Sequence, residues 1–289
     1  MIFDLNTLRV AALVVIAVIY ACYDLFNKRD IPNIVAYASV AVGIVFTLTL
    51  GTQTMIFSIL VALIVAAVSY VFYKIGQLGL GDGFEFVAIS LIIPMQPVPL
   101  LLGAAQFGLP FMLSVFIATG FAAIIMVPLY CISRMKSKQR WDALSKASDN
   151  TKIKAAIMAL AYGSLLLFMI YSFGFSIGAL VVIAAIGIPS VMAIFYEKSI
   201  MMQMIKNVYP KELDVDDIIA VGLMSKVDIA YFKGRSKSFG KLATFEFVAK
   251  AKNLRRKLPV YKNAIPLAFP TLIGVVLALL FGNLLLLIV

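Results

Sequence analysis

The chain has 289 residues, 63% of them hydrophobic and 13% charged, with a mean hydropathy of +1.02 and a formal net charge of +11. A water-soluble protein of this length cannot hide so much apolar side chain, so the bilayer is the expected solvent. Histidine is absent, which excludes Ser-His-Asp and Cys-His catalysis, and two cysteines are too few for a four-cysteine zinc knuckle.

Crossing the hydrocarbon core takes roughly 17–25 apolar residues per helix. Runs of that kind lie at 7–25, 34–50, 55–73, 84–104, 108–132, 155–174, 177–195 and 264–288. The first has no basic segment ahead of Ala21-Cys22 and reads as a retained span. The fourth contains Pro94, Pro97 and Pro99 and is predicted to be kinked or broken. The sixth and seventh form a hairpin turned at Gly174 and Ser176. Two polar stretches remain, a basic loop at 133–154 and a segment at 196–263. In the latter, "DIIAVGLM" and "VDIAYF" lean towards strand and "FEFVAKAKNLRRK" towards helix. The fold expected is an all-α polytopic membrane protein of about eight transmembrane helices with a small cytoplasmic α+β appendage.

Charge orients the chain. With the N-terminus outside, the loops 26–33, 74–83, 133–154 and 196–263 face inward with 2, 1, 7 and 14 Lys+Arg, 24 of the 25 present. Arg9 alone is outside, a partition the positive-inside rule favours. The basic residues flank apolar spans and do not form a basic-aromatic groove, so lipid head groups, not nucleic acid, are their expected partner.

The carboxylates sort on the same map. Of fourteen, Asp24, Asp30, Asp82 and Glu85 lie near the membrane core. Asp24 ends the first span and Asp82 opens the fourth, so both reach the cytoplasmic face, brought together by the 34–73 hairpin. An ionised Asp in hydrocarbon costs roughly 2.5–3.5 kcal/mol, so such a residue has a partner or a task. One task is capping a helix. The other is aspartic-protease chemistry, in which an ionised carboxylate takes a proton from water while its protonated partner polarises a peptide carbonyl. That chemistry needs no histidine, metal or cofactor. Gly79 and Gly81, in "GLGDG", permit positive φ and close backbone approach, as a substrate strand beside the loop would need. Glu85, one helical turn past Asp82, is read as a supporting group, and Asp30 in "RDIPN" as starting the second span, with Pro32 in its first turn.

Asp24, Ile31-Pro32-Asn33 and Gly79-Leu80-Gly81-Asp82 together resemble the type IV prepilin peptidases, most closely the archaeal preflagellin and prepilin peptidases. Leu258–Asn283 is similar to the final span of archaeal members. The resemblance implies that Asp24 and Asp82 are a catalytic pair; Gly79, Gly81, Asp30 and Glu85 are read as loop-forming or substrate-binding residues. It implies prepilin- or preflagellin-like substrates, cut between a short basic leader and an apolar helix. Acidic contacts for such a leader could come from Asp30 or from Glu212, Asp214, Asp216 and Asp217, whose alternative reading is a solvated helix cap. Many bacterial relatives carry a four-cysteine element and methylate the new N-terminus. This sequence has no such element, so peptidase activity alone is expected.

The chain then divides into a catalytic membrane domain (1–132), the basic loop (133–154), a membrane hairpin (155–195), a cytoplasmic domain (196–263) and a final span (264–289). Two rivals stand beside this reading. The presenilin and signal-peptide-peptidase group also uses Tyr-Asp, here Tyr23-Asp24, but several spans precede its first Asp and a P-A-L element follows. Here one span precedes Asp24, and Pro266-Leu267-Ala268 has the other order. In a proton-coupled transporter, paired intramembrane acids carry the proton near the midplane.

Overall fold

Each apolar run contains a helix in the computed structural model, which describes residues 4–26, 31–75, 78–101, 109–175, 177–213, 215, 217–224, 229, 243, 245–251, 257–261 and 267–284. The helices are α1 (Leu5–Phe26), α2 (Asn33–Leu48), α3 (Thr52–Ile75), α4 (Leu80–Ile92), α5 (Phe111–Ser133), α6 (Ser137–Ser145), α7 (Asp149–Phe173) and α8 (Ile177–Met204). After α8 come strand β1 (Lys206–Val208), helix α9 (Phe245–Ala251), strand β2 (Leu258–Val260) and helix α10 (Ala268–Phe281).

Among the described residues five helices (α1, α3, α5, α7 and α8) are long and apolar enough to cross a membrane, fewer than the eight expected. The others are short: α2 has 16 residues, α4 13 and α10 14. At 1.5 Å per residue none spans a core of about 30 Å alone. The run expected at 84–104 shows why. Its helix stops at Ile92, because Pro94 has no N–H to continue the ladder. The extended chain beyond it pairs elsewhere: Gln96 N–H donates to the Leu109 carbonyl at 3.1 Å, and the Leu100 and Leu101 N–H groups to the Leu279 and Leu280 carbonyls at 3.1 and 3.0 Å.

Helix α4 is the centre of the bundle, packed by α1, α2, α3 and α5. Its Phe86, Ile89 and Ile92 join Leu13 and Tyr20 of α1, Phe111 and Val115 of α5 and Val275 of α10 in one buried cluster. Small and hydroxylated residues let the helices approach. Gly43 of α2 sits so close to Leu91 that an added Cβ would lie 2.8 Å from the Leu91 Cβ. The Thr47 hydroxyl reaches both the Gly43 and Leu91 carbonyls at 2.9 Å, and Ser58 of α3 donates to the Ser90 carbonyl at 3.3 Å. Such hydroxyls satisfy one another where water is excluded.

Arg9 is buried. Its guanidinium donates to the Phe46 carbonyl at 3.0 Å and to Thr49 Oγ1 at 2.7 Å. A cation at the last carbonyls of α2 is electrostatically favourable, and it ties the start of α1 to the α2–α3 turn. At the bundle's flank, α7 and α8 form the expected hairpin, joined by Tyr162 and Ser190 at 3.1 Å, and α6 lies within the basic loop against α8. Large apolar side chains face outward from these helices, Leu160 at 73% and Tyr171 at 91% exposure, as a lipid solvent allows.

After α8, β1 pairs antiparallel with β2, Lys206 opposite Val260, and Ile219 bridges to Val260. Val208, Ile219, Phe247, Leu258 and Val260 close a small core of their own. "FEFVAKA" is helical as expected. "DIIAVGLM" forms no named strand among the described residues: it has bridge positions at 218 and 219 and then a 3-10 turn at Val221–Leu223. "VDIAYF" lies outside the described residues except at position 229.

Helix α10 lies against α5 and α1, and Gly274 is its point of closest approach. A Cβ there would meet the Thr119 backbone N at 2.7 Å and its Cα at 2.9 Å, whereas one at Gly120 would meet nothing within 4 Å. Gly274→Ala should therefore cost about 1–3 kcal/mol of stability, the range for overpacking. Gly120→Ala should cost nothing. Thermal unfolding in detergent checks both.

Candidate active site

Two helices begin at the same end of the bundle without a capping side chain at their N-cap positions. The first four N–H groups of any helix have no partner within it. Helix α4 has Gly79 at its N-cap and α10 has Leu267. In both cases a carboxylate supplies the acceptor. Asp82, in the first turn of α4, accepts the Gly79 N–H at Oδ2 over 3.2 Å. Asp24, near the end of α1, accepts the Ala268 N–H at Oδ2 over 2.9 Å, in a buried bond between residues 244 positions apart. The positive ends of two helix dipoles thus face two carboxylates.

These carboxylates feel each other. Asp24 and Asp82 lie within electrostatic range of each other, and both within range of Glu85. Glu85 is fully buried, and neither of its carboxyl oxygens has a hydrogen-bond partner among the described residues. Tyr20, one turn before Asp24, is also fully buried, bonds Ser39 of α2 through its hydroxyl at 2.9 Å, and interacts electrostatically with Glu85 and Asp82. Asp24, Asp82 and Glu85 therefore belong to one neighbourhood, with Tyr20 tying it to α2. Asp30 lies outside the described residues, as do Asp214 and Asp216. Glu212 is in a 3-10 turn, and the carbonyl of Asp217 accepts the Ala243 N–H. Among the described residues no three Asp, Glu, Cys or His side chains converge as metal ligands.

The glycines differ from expectation in one respect. Gly79 has φ −71°, and among the described residues the positive-φ glycines are Gly174 and Gly282. What Gly79 and Gly81 provide is space. A Cβ on Gly79 would lie 2.9 Å from Asp82 Oδ2, and one on Gly81 would lie 2.9 Å from Ile31 Cδ1 and 3.1 Å from Ile31 Cβ. Gly83 is similarly close to Ser69 of α3. The Ile31-Pro32-Asn33 element and the glycine loop, 50 positions apart in sequence, are in contact through Ile31 and Gly81. Pro32 is the N-cap of α2 rather than a first-turn residue, and its carbonyl accepts from Val35 and Ala36.

The contribution of α10 was missing from the sequence reading. A signal for it exists: the run that starts α10, Leu267-Ala268-Phe269-Pro270, has no Ser, Thr, Asp or Asn to cap the helix, so its first N–H groups must find an acceptor elsewhere in the fold.

The fold and this site define a polytopic helical membrane protein with paired carboxylates at one end of its bundle. Residues 11–132 match the model of the type IV leader peptidase family. The matched segment holds Asp24, Ile31-Pro32-Asn33, the glycine loop and Glu85, and it ends before α10. No curated protein and no solved structure gives a significant match.

The contact between Ile31 and Gly81 generates a coupling test. Gly81→Val should lower leader-peptide cleavage at least tenfold, because the branched side chain displaces Ile31 and the loop that carries Asp82. Ile31→Ala in the same chain should restore a substantial part of it. The non-additivity is measured in a double-mutant cycle of cleavage rates.

Proposed function

We propose that the protein is an intramembrane aspartic endopeptidase that removes the short basic leader of prepilin- or preflagellin-like proteins. The observation that carries the reading is the pairing of Asp24 and Asp82, two interacting carboxylates at helix N-termini inside a segment of the leader peptidase family. In this reading one carboxylate, ionised, takes a proton from a water molecule, whose oxygen attacks the scissile carbonyl carbon. The other, protonated, donates to the carbonyl oxygen as charge develops there. Collapse of the tetrahedral intermediate expels the amine, which takes a proton from the dyad. Glu85 supports the pair without reacting. The family match favours this reading over the proton-coupled transporter.

Chemistry at the edge of the bundle suits a cut where a polar leader meets an apolar helix. A peptide bond inside a helix is shielded, so a small helix-breaking residue before the cut is preferred. The activity is read as cleavage without methyl transfer.

The test is cleavage of pilin-type peptides by the purified protein. Asp24→Asn and Asp82→Asn should each reduce cleavage to background while the protein stays folded, because an Asn oxygen still accepts the Gly79 or Ala268 N–H. Glu85→Gln should keep activity. A Lys-Gly junction should be cut best and Lys-Leu hardly at all, with the product's new N-terminus unmethylated by mass. Full activity in either Asn variant would refute the dyad.

The same reading puts the site on the cytoplasmic side and the N-terminus outside, with eight helices passing through or into the bilayer. Support comes from the charge partition, 24 of 25 Lys+Arg in the loops assigned inward. In a Cys22→Ser background, an impermeant thiol reagent on intact cells should label Thr52→Cys and leave Ser148→Cys unlabelled. The reverse pattern would invert the topology. Both positions are exposed.

A further inference from the structure

We propose that the backbone N–H of Ala268 is a positioning group for Asp24, so that α10, which lies beyond the family-matched segment, completes the site. The inference rests on the peptidase reading above. The bond is short at 2.9 Å and its surroundings are closed, with Ala268 fully buried and Asp24 at 6% exposure. Leu267, at the N-cap, contributes no side-chain bond, so the first turn of α10 depends on an outside acceptor.

The donor is also held in place. Gly274 sits against the Thr119 backbone, Gln96 Nε2 donates to the Ala278 carbonyl at 3.0 Å, and the Leu100 and Leu101 N–H groups donate to Leu279 and Leu280. These contacts prevent α10 from sliding along its axis. A carboxylate bonded at Oδ2 to a fixed N–H has that oxygen held in place, which narrows the directions open to Oδ1. An aspartic dyad needs that direction to be constant, since reacting atoms must meet within a few tenths of an ångström.

A cap serving stability alone predicts a different result, and the bond can be removed without removing the side chain. Ala268 is the first residue of α10, the position where proline is best tolerated: its fixed φ suits the helix and its missing N–H is not needed for the helical ladder. Ala268→Pro therefore deletes the donor to Asp24. A second variant, lactate in place of Ala268, exchanges the amide for an ester and deletes the same N–H with no added bulk. Ala268→Gly keeps the N–H.

The assay is cleavage of the Lys-Gly pilin-type peptide by the full chain in detergent, with thermal unfolding measured on each variant. Both N–H deletions should lower kcat ten- to a hundredfold with KM within twofold of the parent, and should move the acid limb of the kcat–pH profile. Ala268→Gly should retain at least half of kcat and the parent profile. An ester variant with parent kcat, or one whose loss is matched by Ala268→Gly, overturns the proposal, as does a melting shift in the ester variant with kcat and pH profile unchanged. Asp24→Asn in the same assay separates the two claims. If Asp24→Asn is active the peptidase dyad itself fails, whereas an inactive Asp24→Asn beside a fully active ester variant removes the positioning role alone.

Discussion

A buried carboxylate and the open end of a helix each carry an unmet need. Away from water an unpaired acceptor costs several kcal/mol, and so does an unpaired N–H. At this end of the bundle a carboxylate meets a helix N–H twice, Asp24 with Ala268 in a buried bond and Asp82 with Gly79 in an exposed one. Much of the architecture follows from making both meetings possible. Helix α1 must deliver Asp24 where α10 starts, α4 must start in the same neighbourhood, and the α2–α3 hairpin must return the chain between them. The arrangement also explains how two interacting acids persist in an apolar molecule: each has a helix dipole aimed at it.

The central place of α4 has a cost that shows in its length. A helix enclosed by α1, α2, α3 and α5 touches protein on all sides, so it is not obliged to match the bilayer thickness. It ends at Ile92, and the proline-rich chain after it turns aside to bond the far end of α10. Non-helical backbone is tolerated there because the N–H groups of Gln96, Leu100 and Leu101 are satisfied by the carbonyls of Leu109, Leu279 and Leu280. Full-length helices form the flank, where α7 and α8 expose Leu160, Tyr171 and Ile188.

Much of this was legible in the sequence, for a physical reason. Long apolar runs have one stable form in lipid, so the existence and order of the helices could be read directly. Elimination among fourteen acids left Asp24, Asp30, Asp82 and Glu85; the structure brings Asp24, Asp82 and Glu85 into one neighbourhood, and Asp30 lies outside the described residues. The rest was tertiary. Hydropathy cannot tell a lipid-facing span from a protein-buried one, so α4 read as too long. Composition says that Gly81 leaves room, but not that Ile31 fills it. The bond from Ala268 to Asp24 spans 244 positions and involves a backbone group that carries no residue signature at all. The partners of Arg9 are carbonyl and hydroxyl oxygens at the end of α2, which a charge count does not see.

The 244-residue separation has a consequence in time. Ribosomes add roughly 5–20 residues per second, so Asp24 waits on the order of ten to fifty seconds after its own synthesis before Ala268 exists. During that interval α1, α2, α3 and α5 can insert and pack around α4 before the Ala268 N–H reaches Asp24. The chain's carboxylates sit in a membrane crowded with apolar helices, its own among them, and the last of the described helices to arrive sets one acid in place after the others have found their partners.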